Sequence, residues 1–113
     1  MNMGKKKTLV MLSGGIDSTA ALWHVLHHPD DYGEVLVHHI HIKNLEGRWL
    51  AEAMAVKNVL AYMKEHASTP FTYSKSTIEV PHFGNHFMFD VEAMGFITGY
   101  MTSRDKDITK VVI

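Results

Sequence analysis

The chain contains no cysteine, which excludes a disulfide framework and any zinc site built on thiolates. It has no long apolar run either. Nothing approaches the roughly 20 residues a membrane-spanning helix needs, and the first apolar segment, Thr8 to Leu12, stops at Ser13-Gly14-Gly15 before a signal-peptide core could form. A cytoplasmic protein without a membrane partner is the expectation. Charge of one sign is also missing: 11 basic against 12 acidic residues leave a formal net charge of −1. Overall attraction to nucleic acid or to anionic lipid is therefore absent, and nucleic acid is not an expected partner. The lysines at 5 to 7 read as a solvated approach to the first strand. Proline is scarce, and each of Pro29, Pro70 and Pro81 stands between periodic segments.

What remains is the balance of an ordinary globular protein, 46% apolar and 20% charged, in 113 residues that suffice for one domain, 1–113. Thr8 to Leu12 is a continuous apolar run, the pattern of a strand buried on both faces of a parallel sheet. Ser18 to His28 predicts a helix through Ala21, Leu22, Val25 and Leu26, with Pro29 blocking continuation. Glu34 to Ile42 predicts a second strand, and Asn44 to Gly47 supply a loop. A long helix follows from about Arg48 to His66, with Leu50, Met54, Val56, Val59, Leu60 and Met63 near one broad face. Phe71 to Val80 predicts a third strand with a break near Ser76, then a loop at Pro81 to Asn85, a helix from about Phe87 to Ser103, and a fourth strand from Ile108 to Ile113. Met54, Met63, Met88, Met94 and Met101, together with Trp23 and Trp49, read as packing residues. This alternation predicts an α/β fold: an open parallel sheet of about four strands, Rossmann-like, with helices on both faces and right-handed connections, cut off after the fourth strand.

Ser13-Gly14-Gly15-Ile16-Asp17-Ser18 falls where the first strand turns into the first helix. Such a turn leaves backbone N–H groups unpaired and aimed outward, backed by the positive end of the helix dipole, and so attracts an anion. Gly14 and Gly15 clear side chains from the turn, Ser13 and Ser18 offer hydroxyls, and Asp17 can hold a magnesium ion against a polyphosphate. The competing account is a tight turn with Asp17 and Ser18 serving only as helix caps.

The whole string SGGIDSTA resembles the SGGxDS signature of the PP-loop ATP pyrophosphatase superfamily. No Gly-Lys-Ser/Thr follows the glycines, so it is not a Walker A loop. The resemblance implies cleavage of ATP between the α and β phosphates, adenylation of a substrate oxygen, and release of pyrophosphate. On that resemblance the positions from Ser13 through Thr19, namely Ser13, Gly14, Gly15, Ile16, Asp17, Ser18 and Thr19, bind the nucleotide, Asp17 and Ser18 serve catalysis, and Asp17 carries the magnesium. Beyond the loop the chain is similar to the 7-cyano-7-deazaguanine synthase branch, which serves queuosine biosynthesis. Arg48 and Glu52, then Val80-Pro81 with Asn85 and Phe87, echo that branch, and imply substrate contacts from Arg48, Glu52 and Asn85. Gly84 stands where the branch has an arginine, its zinc-binding cysteines are absent, and the chain stops at the fourth strand, before the acidic loop of relatives. A second copy or a missing partner polypeptide is therefore expected to join the free sheet edge.

Nine histidines stand out, with His24, His27 and His28 near the end of the first helix and His38, His39 and His41 on the second strand. Strand alternation puts His39 and His41 on one face and His38 on the other, too few on either for a three-ligand zinc site. Packing, hydrogen bonding and helix-terminal electrostatics account for them, although the second strand opens on the same crevice as the phosphate turn. Two functions remain in view: an ATP-dependent adenylating enzyme taking ATP, magnesium and an unidentified small-molecule acceptor, or a nucleotide-binding module without turnover, including one fragment of a split enzyme.

Overall fold

The computed structural model describes residues 6–43, 49–79 and 90–113. Along the chain lie β1 (Lys7–Met11), α1 (Ile16–Leu26), α2 (Pro29–Tyr32), β2 (Glu34–Lys43), α3 (Trp49–His66), β3 (Phe71–Glu79), α4 (Asp90–Arg104) and β4 (Ile108–Val112). The strands form one sheet in the order β3-β2-β1-β4, parallel at every pairing. This is the α/β, Rossmann-like open sheet expected from the alternation of elements.

Strand alternation sends neighbouring side chains of β1 into two separate cores. Val10, with Leu12 just beyond the strand, joins Val35 and Val37 of β2 beneath Leu22, Val25 and Leu26 of α1 and Val56 and Met63 of α3. Leu9 and Met11 join Ile40 beneath Ala93 and Ile97 of α4 on the opposite face. The split follows from handedness. Moving from β1 to β2 to β3 keeps right-handed crossovers on one face, and the return from β3 to β4 reverses direction and carries α4 to the other. In α1 the buried positions 22, 25 and 26 follow helical spacing and form a single stripe. Each fully buried leucine or valine contributes about 1.5–3 kcal/mol relative to exposure.

The end of the sheet opposite the Ser-Gly-Gly turn is tied by polar contacts. Lys7 pairs with Asp105 at 2.8 Å, so the last of the three lysines is an ion-pair partner rather than a freely solvated charge. Thr8 Oγ1 donates to the Tyr32 carbonyl at 2.6 Å. Lys110 Nζ donates to the Asp31 carbonyl at 2.7 Å and stands over the Tyr32 ring.

Several boundaries differ from the sequence reading. Helix α1 starts at Ile16 and ends at Leu26, because the helix begins directly at the glycine turn and His27 takes the C-cap. Pro29 opens α2 at its first turn, where a missing N–H is harmless. Strand β3 runs through Ser76 without a break, since its partner β2 stays in register along the whole length. Leu50 and Met54 are 60% and 62% exposed, not core, because the buried stripe of α3 follows Val56 and Met63. Trp23 is also partly exposed, its ring tilted against that of His27 and near Tyr62. Met63 is buried, whereas Met94 and Met101 pack at the edge of the second core. Lys5, the Asn44 to Gly47 loop, Val80, the Pro81 to Asn85 loop, Phe87 and Met88 lie outside the described residues. Among the described residues no helix is long and apolar enough to cross a membrane.

Gly33 sets the entrance to β2. Its φ is +69°, and a Cβ there would stand 2.5 Å from the Lys6 carbonyl oxygen, which cannot retreat because it accepts the Glu34 N–H at 3.1 Å. Gly33→Ala is expected to lower stability by about 3 kcal/mol, the combined effect of backbone strain and overpacking. A shift of the urea midpoint at unchanged slope is the measurement, and a wild-type midpoint would contradict it.

Candidate functional site

Strand β1 lies between β2 and β4, and the connections serving those neighbours cover opposite faces of the sheet. A crevice forms at such a switch point, outside the carboxyl ends of the strands. The turn from β1 into α1 borders it. Strand β2 holds the start of that turn in two ways: the Leu12 N–H donates to the His38 carbonyl at 2.8 Å, and His39 Nδ1 bonds the Leu12 carbonyl at 2.7 Å.

Gly14 then takes a φ of +87°, and a Cβ on it would meet Ala55 Cβ at 2.9 Å. The turn thus passes directly over α3, and a side chain at this position would push it away. Gly15 is the N-cap of α1, extended at φ −77° and ψ 170°, with no side-chain cap bond. The first N–H to find a carbonyl inside the helix is that of Thr19, on Gly15 O at 3.1 Å. The N–H groups of Ile16, Asp17 and Ser18 consequently have no partner within the helix, which is the arrangement that favours an anion.

The hydroxyls close the turn on itself. Ser18 Oγ accepts the Ser13 N–H at 3.1 Å and lies 3.0 Å from Ser13 Oγ, while Ser13 Oγ accepts the Gly15 N–H at 3.3 Å. The cap position itself belongs to a glycine, so Ser18 braces the turn across to Ser13 instead of serving as the N-cap. Thr19 Oγ1 turns back to the Gly15 carbonyl at 2.7 Å. Ile16 is 85% exposed.

A cavity of about 230 Å³ opens beside the turn. Ser13, Asp17, Ser18, Glu52, His38 and His39 contribute its polar lining, and Met11, Ile40, Ile42 and Met94 an apolar wall. Four residues singled out in the sequence, Ser13, Asp17, Ser18 and Glu52, therefore meet at one place, with Gly14 and Gly15 shaping the turn between them. Arg48 and Asn85 lie outside the described residues. The apolar wall was not singled out; the signal for it is the position of these residues near the carboxyl ends of β1 and β2 and on α4.

His38 and His39 face opposite sides of β2, as alternation requires. His38 is fully engaged, Nδ1 with Ser74 Oγ at 2.7 Å and Nε2 with Ser76 Oγ at 2.8 Å. Burial pushes its pKa down, and the neighbouring His39 adds to the effect. Burial likewise lowers His39, assisted by His41 and Lys75 and opposed by the bond to Leu12. His41 is lowered by burial, Lys75 and Lys43. Its ring lies 4.8 Å from that of His39. Among the described residues no three histidine or carboxylate side chains converge as metal ligands. Magnesium bound with a polyphosphate asks for less, one or two carboxylates with phosphate and water completing the shell, and Asp17 and Glu52 border the same cavity.

Compared with known proteins, the chain matches no family model, no curated protein and no solved structure.

The three depressed imidazoles fix the sign of a pH dependence. Below about pH 6.5 the unfolded chain binds protons that the folded chain refuses, so stability is complete above that value and falls as pH descends toward the folded pKa values. The slope is at most about 1.4 kcal/mol per pH unit per histidine. Urea midpoints measured between pH 7.5 and 5.5 should decline in the wild type and decline less in His39→Asn; equal slopes would contradict this origin.

Proposed function

We propose that the chain is an ATP-binding PP-loop protein that cleaves ATP between the α and β phosphates and adenylates a small-molecule or modified-base acceptor, in the manner of the 7-cyano-7-deazaguanine synthases. One observation carries the reading. The SGGIDS string forms an uncapped helix N-terminus with a positive-φ glycine, at the switch point of a parallel sheet and beside a cavity bordered by Ser13, Asp17 and Ser18.

The donor set suits a pyrophosphate group. Three first-turn N–H groups and two hydroxyls supply uncharged donors, so the negative charge of ATP falls to magnesium and the helix dipole. Asp17, with Glu52 nearby, is the carboxylate suited to that ion, whose contribution when bound is to neutralise the polyphosphate. The chain's own part is positional: Ser13, Gly14, Gly15 and Ser18 hold the leaving group while the nucleoside and acceptor share the cavity, and orientation with electrostatic stabilisation lowers the barrier. Arg48, Glu52 and Asn85 are the acceptor contacts in this reading. A cytoplasmic location, with its ATP and magnesium, goes with it.

Calorimetric titration of ATP with magnesium tests the cradle. Asp17→Ala and Ser18→Ala are each expected to weaken binding by about tenfold to a hundredfold, the range for a lost hydrogen bond or contact to a charged group. Failure of the folded wild type to bind would refute the reading. Sustained pyrophosphate release identifies an enzyme, and saturable binding without release identifies the nucleotide-binding module instead.

Self-association belongs to the same proposal, because β4 is an edge of the described sheet and Val111 on it is exposed. Sedimentation at micromolar concentration should detect a dimer, and a strictly monomeric species would remove this part.

A further inference from the structure

His39 has one ring nitrogen committed and one idle. Its Nδ1 lies 2.7 Å from the Leu12 carbonyl, the peptide just before the serine-glycine turn. A carbonyl oxygen only accepts, so the proton resides on Nδ1 and Nε2 carries a lone pair. That Nε2 is buried and has no hydrogen-bond partner, on a side chain only 2% exposed. Its neighbour His38, equally buried, has both nitrogens satisfied by serine hydroxyls. A buried acceptor left unpaired is uncommon in a folded protein and calls for a physical explanation.

The position of His39 supplies one. It borders the same cavity as Ser13, Asp17 and Ser18. The groups around it keep the ring neutral: His41 packs edge-on at 4.8 Å, Lys75 stands opposite His39 in the register of β2 with β3, and both disfavour a further positive charge, as burial does. Neutral imidazole with Nδ1 engaged can present only an acceptor at Nε2.

Resting on the phosphate-cradle reading above, we propose that nucleotide binding shifts the side chains that cover His39 Nε2 in the free protein, and that Nε2 then accepts a hydrogen bond from an O–H or N–H group of the bound nucleotide, a ribose hydroxyl or the adenine amine. One imidazole then joins the nucleoside to the carbonyl that begins the phosphate turn, and the ligand supplies the partner missing in the free protein. A nucleotide presenting a lone pair at that point is repelled, which makes His39 a specificity-determining residue.

His39→Asn separates the two roles of the ring, because the shorter amide can still donate to the Leu12 carbonyl from the place of Nδ1 while leaving nothing at Nε2. Calorimetry on the full chain compares inorganic pyrophosphate, ATP, 2′-deoxy-ATP, 3′-deoxy-ATP and inosine triphosphate, all with magnesium. The wild type should lose about threefold to tenfold in affinity with the one analogue lacking the relevant donor, as for one hydrogen bond. His39→Asn should show that same loss toward ATP, no further loss with that analogue, and unchanged affinity for pyrophosphate. The identity of the analogue distinguishes hydroxyl from amine. Should the variant lose affinity for every analogue in the wild-type pattern, an ordered water satisfies Nε2 and the proposal is overturned. If pyrophosphate itself fails to bind the wild type, the cradle reading falls first and this inference with it. Where His39→Asn does not fold, ¹⁵N imidazole spectra of the wild type decide: the His39 Nε2 signal must move upfield on ATP saturation, and a signal that stays put while the turn amides shift overturns the proposal.

Discussion

The structure depends on burying β1 on both faces. Five successive positions, Thr8 to Leu12, are withdrawn from water, and no single layer of helices can cover both sides of a strand. Two cores must therefore form, one under α1 and α3 and one under α4. Parallel pairing with β2 and β4 satisfies the backbone groups of the buried strand, and right-handed crossovers distribute the helices. Sheet order, layer assignment and the crevice at the switch point follow from this one requirement.

The turn after β1 inherits its shape from these neighbours. A buried central strand ends at a defined point, and the chain leaves it across the surface of α3, where Ala55 leaves room for Gly14 and for nothing larger. From the other side, β2 holds Leu12 through a backbone bond and an imidazole. Both constraints originate outside the motif. The geometry that leaves three N–H groups free at the start of α1 is thus a tertiary property, although the residues that accept it are local.

Electrostatics follow the same division. The end of the molecule that carries the Ser-Gly-Gly turn presents mainly uncharged donors and a helix dipole, with Asp17 and Glu52 beside them. The opposite end is fastened by Lys7 with Asp105 and Lys110 with the Asp31 carbonyl. A net charge near zero is compatible with local anion binding because it is the direction of dipoles, not the sum of charges, that matters within a few ångströms.

By itself the sequence determined the kind of every element except the short α2, and the place of the turn, since apolar runs, helical spacing and glycine-proline punctuation act over a few residues. It therefore showed the parallel α/β sheet, the run from Ser13 to Ser18, and the opposite faces of His38 and His39. Tertiary structure alone decided which apolar residues became core: Leu50 and Met54 carry the same local pattern as Val56 and Met63, yet only the latter pair meets β1 and β2. The unbroken course of β3 past Ser76 likewise depends on its register with β2. The meeting of Glu52 with Asp17, and the contrast between a satisfied His38 and a half-satisfied His39, depend on strands and helices dozens of residues apart. Local propensity is blind to such distances, because hydrogen-bond satisfaction is a property of what folds alongside, not of the residue itself.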